Sequence, residues 1–300
     1  MLLLDTDQLV TFIAIDETGS HANAAARVNK SQSAISMQMK RLEETVGKSL
    51  FQRIGRANQL TPEGEHLLGF ARRIVALNEQ AMAALTKPDL EGRIRIGAPD
   101  DYAEQFLPVV LSHFSQTHPR VEVEVVCETS SGLWHRIKND KLDLAIVNKD
   151  FVKGDVEGQL FRVEPLHWVT SMGHLAHEEA VLPLAVVPEG CTWRKAAEEA
   201  LDAVGRPYRT AYKSASTLGM NVAVQAGLAV GIMPQSAICP GDLRILTEDD
   251  GFPPLPQAKI ALIHGKKIKS PHIKAMADHI ITRLTNLPIP KVLNGSAVAG

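Results

Sequence analysis

Seven residues between positions 30 and 56 carry side chains suited to holding a DNA duplex. Gln32, Ser33 and Ser36 offer amide and hydroxyl groups to base edges, and Lys30, Lys40, Arg53 and Arg56 offer cations to phosphates or a narrow minor groove. From Ser20 to Arg56, seven Lys/Arg stand against two acids (Glu43, Glu44), a local +5 in a chain of formal net charge −2. The local figure is the relevant one, because salt screens phosphate attraction beyond about 8–10 Å. A stretch of this length also drifts basic by chance, so the patch needs a scaffold before it means anything.

Catalytic and metal chemistry find less support. His174-Leu175-Ala176-His177-Glu178-Glu179 fits neither metalloprotease spacing, and Val181 stands where a further ligand would be needed. No Gly-x-Ser-x-Gly elbow, Walker loop or Gly-x-Gly-x-x-Gly is present. The expectation is a non-enzyme with no catalytic residues, metal or cofactor. Cys127, Cys191 and Cys239 are odd in number and far apart, against a disulfide framework or a Cys-based zinc site, and they suit a reducing compartment. Cys191, near Arg194, is either a thiol of depressed pKa able to sense redox change or a buried structural residue.

The elements that must position these groups follow from periodicity. Leu9, Phe12 and Ile13 predict an amphipathic helix over 6–17, stopping before Gly19. Ser20 caps a short Ala-rich helix over 21–28, and Ser31 caps a third that runs to Val46 before Gly47. In the third, Ile35, Met39, Leu42 and Val46 form the buried stripe, which leaves Ser33, Ser36, Met37 and Lys40 on the opposite face with Gln32 at its edge. Two helices joined by a tight turn, the second polar outside, make a helix-turn-helix, although helical hairpins also occur in bundles. Residues 50–53 and 58–60 flank Gly55-Arg56-Ala57 as a hairpin wing with Arg53 and Arg56 near its tip.

Thr61-Pro62 opens a long helix to about Leu85. Its Leu67, Ala71, Ile74, Asn78, Ala81 and Leu85 alternate spacings of 4 and 3, a heptad seam. The first turns can pack on the chain's own helices. The second half, with Ile74, Asn78, Ala81 and Leu85, is expected to meet a partner subunit, as two DNA heads roughly 34 Å apart require.

Beyond residue 92, strands and helices alternate, which predicts a mostly parallel α/β sheet. Strands are expected near 93–98, 121–127, 142–147, 160–171, 183–188, 208–212, 228–232 and 259–264. Helices are expected over 102–117, 131–139, 192–204, 216–226 and 271–284. Two lobes crossed twice by the chain form a cleft at the strand ends. Pro99, Asp100 and Tyr102, the helix starts at Thr129-Ser130-Ser131 and Ser214, Ser216 and Thr217, and a crossover at Val147-Asn148 should meet there. Helix N-termini suit a carboxylate ligand, whereas Asp100 and Asp101 repel one. The expected effector is therefore zwitterionic, cationic or hydroxyl-rich, unless these acids merely cap a helix.

Length and composition agree. The 300 residues suit about two domains, 45% apolar and 22% charged residues exclude wholesale disorder, and no uncharged apolar run approaches a membrane span of roughly 18 residues. Met1-Leu2-Leu3-Leu4 meets Asp5 at once, unlike a signal peptide. A cytoplasmic protein without a membrane partner is expected.

One family unites these segments. Leu9-x-x-Phe12, Gly19-Ser20, Ala24-Ala25-Ala26, Ser31-Gln32-Ser33-Ala34-Ile35-Ser36, Leu42-Glu43, Gly47-x-x-Leu50-Phe51-x-Arg53 and Leu60-Thr61-x-x-Gly64 resemble, without a gap over about sixty residues, the winged helix-turn-helix of LysR-type transcriptional regulators. His21 departs from the family's usual aromatic, and Met37 from its arginine or polar residue. Gly92–Gly97, Leu107-Pro108, Phe114, Pro119-x-Val121, Lys141–Ile146 and Ala226–Pro234 resemble the family's effector domain. Residues 189–194 and 214–219 resemble a branch controlling motility and virulence genes.

The resemblance implies an all-α winged helix-turn-helix domain at 1–62 and a linker helix and hinge at 63–91. It implies an α/β effector domain of the periplasmic-binding-protein kind at 92–290 (one lobe 92–164 and 265–290, the other 165–264), and a tail at 291–300. It implies double-stranded operator DNA, a small-molecule effector, self-association as dimer or tetramer, and RNA polymerase as partners. Three rivals remain at this point: a ligand-binding module whose N-terminal helices only dimerise it, an enzyme on the α/β lobes, and a DNA binder without a ligand.

Overall fold

The computed structural model describes residues 3–54, 57–86, 90–152, 156–189, 191–238, 241–285 and 287. Arg56, Cys239 and the expected tail at 291–300 lie outside them. The chain divides into two units, Met1–Asp89 and Leu90–Gly300.

In the first unit every helix boundary has a local cause. Helix α1 (Thr6–Thr18) starts where the Asp5 carboxylate accepts the Asp7 N–H at 2.8 Å and ends at Gly19, whose φ of 70° only glycine adopts without strain. Helix α2 (His21–Arg27) is capped by Ser20, and α3 (Gln32–Val46) by Ser31, whose hydroxyl accepts the Ala34 N–H at 3.2 Å. Strands β1 (Phe51–Ile54) and β2 (Ala57–Leu60) pair antiparallel with Phe51 opposite Leu60. Helix α4 (Pro62–Thr86) follows, its first turn capped by the Thr61 hydroxyl, which accepts the Gly64 N–H at 3.0 Å. A Cβ at Gly64 would lie 2.2 Å from the Leu50 carbonyl oxygen, so the approach of α4 to the chain entering β1 excludes any side chain there. Leu9, Phe12, Ile15, Ile35, Met39, Leu42, Leu50 and Ala71 form the core.

The second unit begins with β3 (Gly92–Ala98), α5 (Asp100–Thr117), β4 (Val121–Cys127), α6 (Ser130–Lys138) and β5 (Leu144–Asn148). Here β3 pairs in parallel with both β4 and β5. The Asp143 carboxylate ties β3 to the entry of β5 by accepting the Arg95 backbone N–H and guanidinium, each at 2.9 Å. Then come β6 (Gly158–Ser171), β7 (Leu182–Val186), α7 (Thr192–Ala203), β8 (Tyr208–Lys213), α8 (Thr217–Gln225), β9 (Gly231–Pro234), β10 (Leu243–Leu246), β11 (Gln257–His264) and α9 (Pro271–Thr285).

Three expectations need correction. First, the large sheet, in the order β10-β6-β11-β5-β3-β4 with β9 on β6, is mixed rather than mostly parallel, because β6 and β11 run antiparallel to their neighbours. Second, β11 belongs with the first lobe, although 165–264 was assigned to the second. The β5 residues are buried throughout, so the strand needs a partner on each edge: β3 supplies one and β11 the other. Third, the chain does not cross between lobes at Val147-Asn148. The outward crossing lies within β6, whose residues 158–165 pair with β11 and whose residues 166–171 pair with β9 and β10. The return runs through the segment before β11, where the Trp168 indole N–H donates to the Pro253 carbonyl at 2.8 Å. Strand β10 was not expected from sequence, and the strand expected at 228–232 lies at Gly231–Pro234, with Val230 bridging to Leu184.

A buried ion pair marks the outward crossing. Arg162 and Glu164, 3.7 Å apart, are both almost fully buried. Glu164 also accepts the Ser236 N–H at 2.9 Å and its hydroxyl at 2.7 Å, and Arg162 donates to the Leu287 carbonyl at 2.7 Å. Desolvation lowers the Arg162 pKa, and Glu164 opposes that shift.

Candidate functional site

The two faces of α3 differ as the spacing predicted. Ile35, Met39 and Leu42 are buried, while Gln32, Ser33, Ser36, Met37 and Lys40 are exposed. The face is held from behind by a polar network absent from the sequence reading. Gln38 accepts the Thr11 hydroxyl at 2.7 Å and donates to Asp7, and the Lys30 ammonium donates to Asp7 at 2.6 Å and to Gln38 at 3.1 Å. The Lys30 hydrogen bond holds the Asp7 carboxyl below its usual range. Lys30, expected on phosphate, is thus engaged in bracing α3 against α1.

The remaining DNA-facing residues are placed as follows. The Ser33 and Ser31 hydroxyls lie 3.0 Å apart. Lys40 is 3.9 Å from Glu44 with both side chains well exposed, a separation that restrains it little. Arg53 is exposed on β1. The wing is fixed to the helices by the Glu43 carboxylate, which accepts the Leu50 N–H at 2.8 Å, and by His21. His21 packs edge-on to Phe51, 6.4 Å between ring centroids, and its Nδ1 is 3.2 Å from the Asn58 amide. A histidine therefore fills an aromatic position and adds a polar link.

Along α4, Ile74 is half-buried and packs on the first unit's own core. Asn78, Ala81 and Leu85 are exposed, Leu85 to 85%, as are Leu77 and Met82.

The second unit contains a cavity of about 440 Å³ between its lobes. Its wall includes Pro99, Asp100 and Tyr102 from the β3–α5 turn, Thr129, Ser130 and Ser131 at the start of α6, Asn148 at the end of β5, and Ser216 and Thr217 at the start of α8. Ser214, expected there, is not on the wall. Its hydroxyl instead accepts the Ser216 N–H at 3.1 Å and shapes the turn into α8.

Two contacts bridge the lobes at this site: the Asn148 amide donates to the Thr192 hydroxyl at 3.3 Å, and Tyr102 meets Trp193 edge-on at 6.4 Å. Asp101, Cys127, Glu128, Phe151, Val187, Glu189, Cys191, Trp193, Met220 and Ile232 also stand on the wall, outside the expected set. Of these, Glu189, Cys191 and Trp193 fall in segment 189–194 and Ile232 in segment 226–234, both of which carry a family resemblance in the sequence.

The electrostatics of the wall are acidic. Burial pushes the Asp101 carboxyl up to about 7, with Asp100 and Glu164 adding to the shift and the N–H groups of Tyr102 and Asp101 opposing it. The N-cap of α5, Pro99, has no side chain able to cap it, and the Asp101 carboxyl instead accepts N–H groups of the first turn. Burial also raises the Cys191 thiol. The Arg194 expected to activate it is hydrogen-bonded to Glu198 at 2.7 Å and to the Val187 carbonyl. His177 is buried, and desolvation followed by Arg244 keeps its pKa low, while His174 is exposed. Among the described residues no cluster of metal-ligating side chains forms. No helix among them is long and apolar enough to cross a membrane.

Residues 6–65 match the bacterial regulatory helix-turn-helix protein model of the lysR family, and residues 87–285 match the LysR substrate binding domain. The HTH-type transcriptional regulator DgdR of Burkholderia cepacia is 41% identical over 92% of this chain and 93% of its own. The HTH-type transcriptional regulator PecT of Dickeya dadantii is 34% identical over 87% of this chain and 82% of its own. The fold is similar to that of CrgA, a LysR-type transcriptional regulator from Neisseria meningitidis, with a TM-score of 0.56 at 18% identity over 95% of this chain and 100% of that one. With a reading helix and an effector-type domain in one chain, and both models matched, this protein belongs to the LysR family of DNA-binding transcriptional regulators, not to a family of enzymes.

Proposed function

We propose that Gln32, Ser33 and Ser36 read base edges in the major groove, while Lys40, Arg53 and Arg56 hold phosphates or the minor groove. The observation that carries this reading is the exposed polar face of α3, whose opposite face is buried and whose N-terminal half is braced by Asp7, Lys30 and Gln38. A helix fixed on three sides presents its side chains without a large ordering cost on binding. Residues 1–62 serve as the DNA-binding domain, the exposed half of α4 within 63–91 pairs subunits through Asn78, Ala81 and Leu85, and the later residues take a small-molecule effector in the cleft. The regulator works in the cytoplasm on operator DNA and communicates with RNA polymerase.

An effector bound between lobes changes the separation of two DNA heads only if it favours one lobe arrangement over another. The β6 crossing is where such a rearrangement would pivot.

DNA binding by the full-length protein to genomic fragments adjoining its own gene, measured by fluorescence anisotropy across a salt series, tests the reading. Gln32→Ala and Ser36→Ala should each reduce discrimination against other sequences by about 1–3 kcal/mol, roughly 5- to 150-fold. Lys40→Ala should weaken binding uniformly and flatten the salt dependence. Weak binding indifferent to salt and to all three substitutions would leave only a ligand-binding module.

A further inference from the structure

The cavity wall has a one-sided charge. Asp100, Asp101, Glu128 and Glu189 lie on it, and none of the described wall residues is Lys, Arg or His. Glu128 is offset by Arg136, which donates to it from the second turn of α6. The other three have no ion-pair partner among the described residues. Burial, with Asp100 and Glu164 beside it, pushes Asp101 up to about 7, as expected of negative charge without a counter-charge.

A second observation points to a ligand. Tyr102 is 1% exposed, and its hydroxyl has no hydrogen-bond partner among the described residues. Buried polar atoms on a cavity wall are costly unless something meets them. The rest of the wall is mixed, with hydroxyl and amide groups at the starts of α6 and α8 and at the end of β5, and apolar or aromatic side chains at Phe151, Val187, Met220 and Ile232.

Resting on the reading of this cleft as the effector site, we propose that the effector is a small organic cation: an ammonium group on an apolar body, met by Asp100, Asp101 and Glu189 and flanked by Tyr102 and Trp193. Carboxylates supply the counter-charge, the Tyr102 hydroxyl accepts from the ammonium, and the aromatic faces favour a cation further. A plain carboxylate would enter against three acids with no basic side chain to receive it. The cavity volume falls within the range usual for small-molecule sites, about 300–1,000 Å³.

Cys127 stands on the same wall and is exposed, which allows a test that needs no identified ligand. Full-length protein at pH 8 is treated with a trimethylammonium-ethyl or a sulfonatoethyl methanethiosulfonate. In each case the Cys127 thiolate attacks the sulfenyl sulfur, a disulfide forms and methanesulfinate leaves, and peptide mass mapping assigns the adduct. One-signed clefts raise counter-ion encounter by about 10–1,000-fold. The cationic-to-anionic rate ratio at Cys127 should therefore exceed that of free 2-mercaptoethanol by at least about tenfold. It should fall toward the free-thiol value in Asp101→Asn and, independently, in Glu189→Gln on the exposed lip. A ratio at or below that of the free thiol overturns the cationic class and leaves the cleft as an effector site. No labelling of Cys127 by either reagent overturns both, since the cleft would then admit no small molecule.

Discussion

The reading face of α3 and the cleft of the second unit are built in opposite ways. The residues proposed to contact DNA all lie between Gln32 and Arg56 in the chain, and the elements that carry the described ones have their caps, glycines and apolar stripes close by in sequence. The cleft draws on Pro99 at one extreme and Ile232 at the other, brought together only by a strand that serves both lobes. Their chemistry differs as well. The face of α3 is exposed to water, whereas the cleft buries the Asp101 carboxyl and the Tyr102 hydroxyl. A locally encoded site is robust to changes elsewhere, while a site assembled over long distances depends on the joints between its parts.

The largest test of that contrast is at the joint. Glu164→Gln leaves the buried Arg162 without its counter-ion and should destabilise the second unit by up to about 5 kcal/mol. Urea unfolding followed by tryptophan fluorescence reports this, because Trp134, Trp168 and Trp193 all lie in the second unit. An unchanged midpoint would show that the crossing is not the weak point proposed here.

Next comes Asp101, where function and stability oppose one another. Its folded pKa, about 7, lies above the ordinary 3.8. Below pH 3.8 both states are protonated and nothing is lost. As pH rises, the unfolded chain ionises first, so stability falls until the folded group ionises near 7. Asp101→Asn should remove that penalty, stabilising the protein by on the order of 4 kcal/mol at pH 8 with no gain below pH 4. Thermal melts at pH 4 and pH 8 measure the difference, and a loss of stability at pH 8 would refute an uncompensated charge.

The smallest effect belongs to the local site. Ser31→Ala removes the cap of α3 and should cost about 1 kcal/mol, read by hydrogen exchange of the α3 amides. The same substitution should leave the charge preference at Cys127 untouched. A change there would break the separation between a local and an assembled site.

The legibility of each part follows from this difference. Helices α1 to α4 start and stop within a residue or so of the expected positions, because Asp5, Ser20, Ser31, Gly47 and Thr61 act on their nearest neighbours. The bracing contacts of Lys30 could not be read locally, because Asp7 and Gln38, which it meets, come from different helices. In the cleft, helix starts and strand-end turns were recognisable, so most of the expected wall residues are present. Glu189, Trp193, Met220 and Ile232 carried no local signal, since an apolar or acidic residue in a loop or strand looks alike whether it faces a cavity or not. The placement of β11 was missed for a related reason. Its apolar alternation shows that it is a strand, but not which edge it joins.

By itself, then, the sequence determined the helical reading head, the alternation of strands and helices, and the acidic pair at the start of α5. Those properties rest on backbone hydrogen bonds and side-chain periodicity within a few residues. The tertiary structure alone decided that β6 runs through both lobes, that Lys30 ties α3 to α1 through Asp7 and Gln38, and that three carboxylates without an ion-pair partner share a cavity with no basic side chain among its described wall residues. Those outcomes depend on burial and charge contributed by distant segments, and neither is a property of any stretch of chain until the stretches have packed together.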